Sequence, residues 1–366
     1  MQRVATELHA ALNAHPDVEC SSAVLRSSWR WTHFQTGPFL GRALLQIRRM
    51  VRSREVDAVL FSSMVTASLA TLLESTFHRH GVFSAVIVHG RDVTLDVAPY
   101  QKLVPLIFDA VDAVLPVSRA TGEACLARGL EARKLYVVPN GVSVHRFESR
   151  RSPQEARSAL LDRFGTRAAI PHRSLLVCSV GRQVKRKGFA WFVDHVLPLL
   201  PNDVHYLLAG EGPETQHVRE MAARRGLSHR VHVLGRVSEE ELEMLYSASD
   251  LFAMPNIPVP GDMEGFGVVM LEAGLCGLPT IASKLEGITD VVEEGENGHL
   301  VRSGDAWGFS EAIMQYYHEP AALANARVRA ARYVEDHFSW HAVSNRYLDV
   351  MRAVEPSEPV PDEALV

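Results

Sequence analysis

Short apolar runs recur along the whole chain with amphipathic stretches between them, and that alternation predicts an α/β protein with parallel sheets rather than a helical bundle or a sandwich. In the first half the pattern predicts a helix at 2–14, a strand near Val18–Leu25, a helix near 38–54 and a strand at Ala58–Ser62. A helix near 66–79, a strand at Phe83–Val88, a helix near 99–110, a strand at Ala113–Val117, a helix near 119–129 and a strand at Leu135–Val138 follow, which together describe one Rossmann-like unit. The second half repeats the rhythm with strands at Leu175–Val180, His205–Ala209, Val231–Leu234, Leu251–Met254 and Thr280–Ala282, helices between them, and so predicts a second such unit.

A length of 366 residues suits two cores better than one. The boundaries read as residues 1–145 for the first domain, 146–173 for a linker with one short helix, and 174–340 for the second domain. A helix at 341–355 is expected to return to the first domain, and the tail 356–366 has little to bury and is expected to be disordered. The linker assignment rests on Pro139-Asn140-Gly141, the charged Glu148-Ser149-Arg150-Arg151 and Pro171. Ligands of open α/β sheets sit beyond the carboxyl ends of the strands, so two facing sheets would form a cleft.

Composition is that of a water-soluble protein, 47% hydrophobic and 22% charged, and no apolar run is long enough to span a bilayer. The N-terminal stretch lacks the apolar core and cleavage site of a signal peptide, and Cys20, Cys125, Cys178 and Cys276 stand far apart in no metal-ligand spacing. A cytoplasmic protein without a structural metal is the expectation. The net charge of −5 divides into 17 basic against 13 acidic residues up to position 150 and the reverse bias beyond it. Arg42, Arg48, Arg49, Arg52 and Arg54 fall on one predicted helix, either a solvated face or a peripheral contact with anionic headgroups at the inner face of a membrane. No nucleic-acid module is recognisable in this acidic chain, so no nucleic-acid partner is expected.

Two loops carry chemistry. Between Met254 and Glu272 an apolar strand ends in a proline-rich loop, meets Glu264-Gly265-Phe266-Gly267 and enters a helix carrying Glu272. Glycines there let a ligand approach the peptide N–H groups, and a helix mouth favours an anion such as phosphate. Glu264 suits neutral hydroxyls beside that phosphate, and Glu272, in the second helical turn, can reach a second hydroxyl group such as a ribose. Taken alone, the stretch could also be a glycine turn before a helix with two solvated glutamates. In the second loop, Gly181-Arg182 ends a strand and Lys187-Gly188 follows after four residues. Arg182 can grip a diphosphate with two nitrogens, Lys187 adds a point charge, and together they would stabilise a departing nucleoside diphosphate without a divalent metal.

Gly181-Arg182-x4-Lys187-Gly188 together with Glu264-Gly265-Phe266-Gly267-x4-Glu272 resembles the donor site of retaining glycosyltransferase family four, which has the GT-B fold. Ala209-Gly210-Glu211-Gly212-Pro213, Leu234-Gly235-Arg236-Val237, Leu278-Pro279-Thr280, Glu294-Gly295-x2-Asn297-Gly298 and Phe338-Ser339-Trp340 match in order and spacing over essentially the whole second half. The resemblance implies that Arg182 and Lys187 contact the donor diphosphate, Glu264 the sugar hydroxyls and Glu272 the ribose, with backbone around Arg236 and Val237 meeting the base. In the first half, Val88-His89-Gly90-Arg91-Asp92 resembles the family segment whose histidine lies near the donor sugar; a lone histidine after a strand is otherwise more often structural. Pro116-Val117-Ser118 and Pro139-Asn140-Gly141-Val142 also match family positions.

The implied activity is transfer of a glycosyl group from a nucleoside-diphosphate sugar to a saccharide, lipid or small-molecule acceptor with retention of configuration. No cofactor beyond that co-substrate is implied. The chain departs from the family pattern in beginning at Gln2-Arg3-Val4-Ala5-Thr6-Glu7-Leu8, within what resembles the first helix, so the first strand and its glycine loop have no counterpart and an uncovered sheet edge is expected. A start site placed too late, a truncated chain and a degenerate protein each accommodate that. A nucleotide-sugar epimerase or phosphorylase on the same architecture, or a non-catalytic binding protein, are the alternatives.

Overall fold

The computed structural model describes residues 2–25, 32–147, 152–164, 170–171 and 173–354. The chain forms two compact units, Met1–Gly141 with Trp340–Val366, and Val142–Ser339. No helix among the described residues is long and apolar enough to cross a membrane.

The first unit holds a parallel sheet of β1 (Ala58–Phe61), β2 (Phe83–Val88) and β3 (Ala113–Pro116), in that order. β2 lies between the other two with all six residues buried, and a strand covered on both faces reads as the continuous apolar run FSAVIV. Helices Thr32–Arg52, Ala70–His80 and Ala98–Asp109 supply Val51, Leu73, Phe77, Val104, Ile107 and Phe108 to its core. The C-terminal helix Trp340–Ala353 belongs to this unit and packs on the first helix, Gln2–Asn13; the Trp340 indole N–H donates to Glu7 at 2.7 Å, and His15 Nε2 and Ser344 Oγ are 3.0 Å apart.

Three expectations fail here. Residues 18–25 form no strand, because the run alternates with Glu19, Ser21 and Ser22 and finds no neighbouring strand to pair with. Leu135–Val138 is reduced to a single bridge, Val114 with Leu135, although Tyr136 N–H still donates to Val114 O and Val138 N–H to Pro116 O. Arg54 lies beyond the helix that ends at Arg52, in a left-handed conformation at φ 56°, so the basic cluster does not all share one helix. The tail after 354 and the charged stretch 148–151 fall outside the described residues.

The second unit is a six-stranded parallel sheet of β4 (Leu175–Val180), β5 (Val204–Ala209), β6 (Val231–Gly235), β7 (Leu251–Met254), β8 (Thr280–Lys284) and β9 (Gly298–Arg302). Their order in space is β6-β5-β4-β7-β8-β9. The order in which strands are added reverses between the parallel neighbours β4 and β7, which pair through Val177 with Leu251 and Cys178 with Phe252, and such a switch point is where open α/β sheets bind ligands. β9 escaped the sequence pattern because GHLVR offers little apolar run and only Gly298 and Val301 in it are buried. Phe192, Tyr206 and Phe309 anchor the core beneath, Phe192 and Tyr206 with ring centroids 4.5 Å apart. Helix Pro153–Arg163 starts at a capping box of Ser152 and Glu155. It is fastened to this unit by Arg157, whose Nη2 lies 2.6 Å from Asp250 Oδ2, the same oxygen that accepts the Leu176 N–H at 2.8 Å.

Candidate functional site

Both chemistry-bearing loops leave the sheet at the switch point: Gly181–Gly188 follows β4, and Pro255–Gly267 follows β7. Glycine chemistry fastens them. Gly188 has φ 66°, and a Cβ there would stand 1.9 Å from Pro255 O, so only glycine lets the two loops touch. Alongside, Ile257 N–H donates to Arg186 O at 2.9 Å. On the other side of β4, a Cβ at Gly210 would lie 2.1 Å from Gly181 O and one at Gly212 would lie 2.2 Å from Gln183 O, so the loop after β5 rests directly on the loop after β4. The rim is therefore built from backbone, with side chains projected from fixed points.

Lys187 is carried by a 3₁₀ turn, Lys185–Lys187, and is buried. Its Nζ lies 2.6 Å from Glu264 Oε2, across the seam between the two loops. The same Glu264 oxygen accepts Asn256 Nδ2–H at 3.1 Å, and Arg186 Nη2 stands 3.7 Å away. Burial pushes the Glu264 carboxyl up, but the Lys187 and Arg186 charges and the hydrogen bonds from Lys187 and Asn256 outweigh it and hold the carboxyl below its usual range. Burial likewise lowers the Lys187 ammonium more than the Glu264 charge raises it. Arg182 is exposed and has no ion-pair partner among the described residues. Gly181 before it sits at φ 147° and lies close to the Lys187 side chain.

Gly265 and Phe266 lead to Gly267, which at φ 89° opens helix Val268–Leu275 with no side-chain cap, leaving the amides of the first turn without a side-chain partner at the N-cap. Glu272 is in the second turn and 2% exposed. Its Oε1 lies 2.7 Å from Arg146 Nη1, and its Oε2 accepts the Tyr246 hydroxyl at 3.1 Å. Burial, then the Glu272 charge, holds Tyr246 protonated far above its ordinary range. Arg146 also reaches Glu239 at 2.9 Å and stacks 4.9 Å from the Phe147 ring centroid. Arg236 and Val237 form the short connection between β6 and helix Glu239–Ala248.

His89 sits in the first unit at the end of β2, before Gly90 at φ 80°. Its Nε2 is 3.2 Å from Ser62 O, which requires an Nε2–H donor and leaves Nδ1 with a lone pair in the neutral ring. Burial lowers its pKa, against the opposing charge of Asp92, so the neutral form prevails at pH 7.

The structure thus joins Lys187 directly to Glu264 and seats Arg182, Gly181, Gly265, Phe266 and Gly267 on the same rim. It engages Glu272 with Arg146 and Tyr246 instead of leaving it solvated. Arg146, Arg186 and Glu286 escaped sequence reasoning. Arg146 is 126 positions from Glu272, and nothing local announces the pairing.

Residues 174–319 match the model described as glycosyl transferases group 1, and residues 7–146 match the one described as glycosyltransferase family 4. The chain is 26% identical over 313 residues to the GDP-mannose-dependent alpha-(1-6)-phosphatidylinositol monomannoside mannosyltransferase of Mycolicibacterium smegmatis, covering 84% of this chain and 79% of that protein. It is 24% identical to the amylovoran biosynthesis glycosyltransferase AmsK of Erwinia amylovora, over 72% of this chain and 62% of the relative. Among solved structures, Anabaena HepE in complex with UDP has the same fold, with a TM-score of 0.70 at 21% identity over 86% of this chain and 82% of that one.

Proposed function

The chain belongs to the group 1, family-four glycosyltransferases, with its two halves matched by their two models, and from that membership we infer the division of labour within its site. The reaction is transfer of a sugar from a nucleoside-diphosphate sugar to an acceptor with retention of configuration. The observation that supports the site assignment most is the Lys187–Glu264 pair, which puts a cation for phosphate and an anion for hydroxyls side by side at the switch point of the second unit.

In this reading Arg182 and Lys187 hold the pyrophosphate, with the Gly181 backbone beside them, and stabilise the charge that develops as the bond to the anomeric carbon breaks. Glu264 accepts sugar hydroxyls, and the amides of Gly265, Phe266 and Gly267 face the donor across the helix mouth. Glu272, oriented by Arg146 and Tyr246, accepts the ribose hydroxyls. The backbone of Arg236 and Val237 meets the base. His89 is assigned to the catalytic set on the family pattern, its Nδ1 lone pair serving as a neutral acceptor for a hydroxyl. No carboxylate is assigned as a nucleophile; the leaving diphosphate takes the acceptor proton, and the protein contributes positioning and charge. The two cations take the electrostatic role a divalent metal would otherwise have, so turnover is expected to persist in excess chelator.

The named relatives are a GDP-mannose-dependent phosphatidylinositol monomannoside mannosyltransferase and an amylovoran biosynthesis glycosyltransferase, and HepE binds UDP, which supports a role in lipid-linked saccharide or polysaccharide assembly. A thermal-shift screen of UDP-, GDP- and ADP-sugars, followed by mass spectrometry of the products with membrane-lipid and oligosaccharide acceptors, tests the reading. One donor raising the melting temperature and losing its sugar to an acceptor is expected. An epimerised donor with no acceptor needed, or release of sugar phosphate dependent on inorganic phosphate, would replace it with one of the rival activities.

A further inference from the structure

Glu286 opens the short 3₁₀ turn Glu286–Asp290 after β8, and its backbone is left-handed at φ 48°. The other non-glycine residue with positive φ among the described residues, Arg54, ends a helix, where that conformation is commonplace. Glu286 ends nothing. A side chain is held there at an energetic cost that glycine would avoid, and such costs concentrate at functional sites.

Its surroundings indicate what it serves. The Glu286 carboxylate accepts the backbone N–H of Glu264, and the next residue, Gly287, lies so close to Gly265 O that a Cβ would come within 2.2 Å. The strained residue therefore sits where the loops after β7 and β8 touch, against the Glu264 backbone. Asn256, 1% exposed, donates its amide to Glu264 and keeps its Oδ1 buried without a hydrogen-bond partner. With the Glu264 charge already matched by Lys187, the Glu286 carboxylate and the unpaired Asn256 Oδ1 add acceptors on either side of Glu264, which suit hydroxyl donors and disfavour a further anion. Burial, followed by the neighbouring Glu264 charge, raises the Glu286 carboxyl, while the Glu264 amide and Arg186 oppose that rise.

Building on the donor-site reading above, we propose that Glu286 is a specificity-determining residue: with Asn256 Oδ1 it accepts hydroxyl hydrogens from the transferred sugar, favouring a neutral hexose and disfavouring a deoxy-sugar or a uronate. Glu286→Gly and Glu286→Gln separate this from a purely structural role. Calorimetry would compare each protein's affinity for the free nucleoside diphosphate, the corresponding hexose donor and the corresponding hexuronate donor. Glu286→Gly should raise the melting temperature, since glycine takes the left-handed backbone without strain, and still lose about tenfold in the ratio of hexose-donor to free-diphosphate affinity. Glu286→Gln keeps an acceptor for the Glu264 amide and should narrow the preference for hexose over hexuronate. Unchanged ratios in both variants would overturn the proposal and leave the donor-site reading standing. Failure of the unaltered protein to bind UDP, GDP, ADP or any of their sugars would instead overturn the reading on which it rests.

Discussion

Lys187 Nζ stands 2.6 Å from Glu264 Oε2, and both side chains are more than nine-tenths buried. Two opposite charges withdrawn from water depend on each other, and removing one leaves the other uncompensated. Lys187→Ala and Glu264→Ala should each destabilise the protein by about 3–5 kcal/mol in chemical denaturation, with the double variant well short of the sum. Ligand affinity should separate them: Lys187→Ala loses the free nucleoside diphosphate, whereas Glu264→Ala loses mainly the sugar-bearing donor and turnover. Additive destabilisation would show that the pair is not coupled.

Glu272 meets Arg146 through Oε1 and accepts the Tyr246 hydroxyl at Oε2, and a carboxylate held in this way can accept from a ligand hydroxyl. If that hydroxyl belongs to the ribose, the protein should bind its nucleoside diphosphate about tenfold more tightly than the analogue lacking the contacted hydroxyl. Glu272→Ala should abolish the difference and Arg146→Ala should reduce it, because the carboxylate loses the guanidinium that orients it. Equal affinities for ribose and deoxyribose forms in the unaltered protein would remove Glu272 from the ribose.

His205 in β5 and His232 in β6 lie with Nδ1 and Nε2 3.1 Å apart, one donating and one accepting, so both cannot be protonated without breaking the contact. Burial, reinforced for His205 by the neighbouring His232 charge and for His232 by the His229 charge, lowers both to about 4. Their folded values are below the unfolded value of about 6.5, so the unfolded chain binds more protons between pH 6.5 and 4. Stability should therefore be fully present above pH 6.5 and decline as the pH falls through that window. Denaturation midpoints measured from pH 7 to 5 should show proton uptake on unfolding that His232→Gln reduces by about one proton. A pH-independent midpoint over that range would contradict the assignment.

The sequence exposed those features that local chemistry forces. Gly181, Gly188 and Gly267 stand where φ is positive, and the cations and glutamates they present fall at fixed spacing, so both loops were legible without a fold. Most strands of the second unit were legible because burial on both faces leaves continuous apolar runs such as Leu175–Val180. What depends on distant partners was not. Val18–Leu25 has strand-like residues and no strand beside it, β9 has a strand beside it and few apolar residues, and Arg146 meets Glu272 only through the fold. Glu286 was hidden for a further reason, since nothing in a glutamate's identity reveals that its backbone is left-handed.

Two left-handed glycines test how far the rim depends on backbone contact. Gly226, at φ 69°, ends the helix Thr215–Arg224 region with nothing within 4 Å of an added Cβ, so Gly226→Ala bears only the conformational cost of about 1–2 kcal/mol. Gly188, at φ 66°, has nearly the same backbone, but its Cβ would meet Pro255 O at 1.9 Å. Gly188→Ala must also push apart the loops after β4 and β7, which adds a steric cost of about 1–3 kcal/mol and displaces Lys187 from Glu264. Denaturant unfolding should therefore place Gly188→Ala clearly below Gly226→Ala in stability, and calorimetry should show nucleoside-diphosphate affinity lost in Gly188→Ala and retained in Gly226→Ala. Equal penalties with affinity retained in both would mean that the contact between the two loops does not hold the cation and the carboxylate in register.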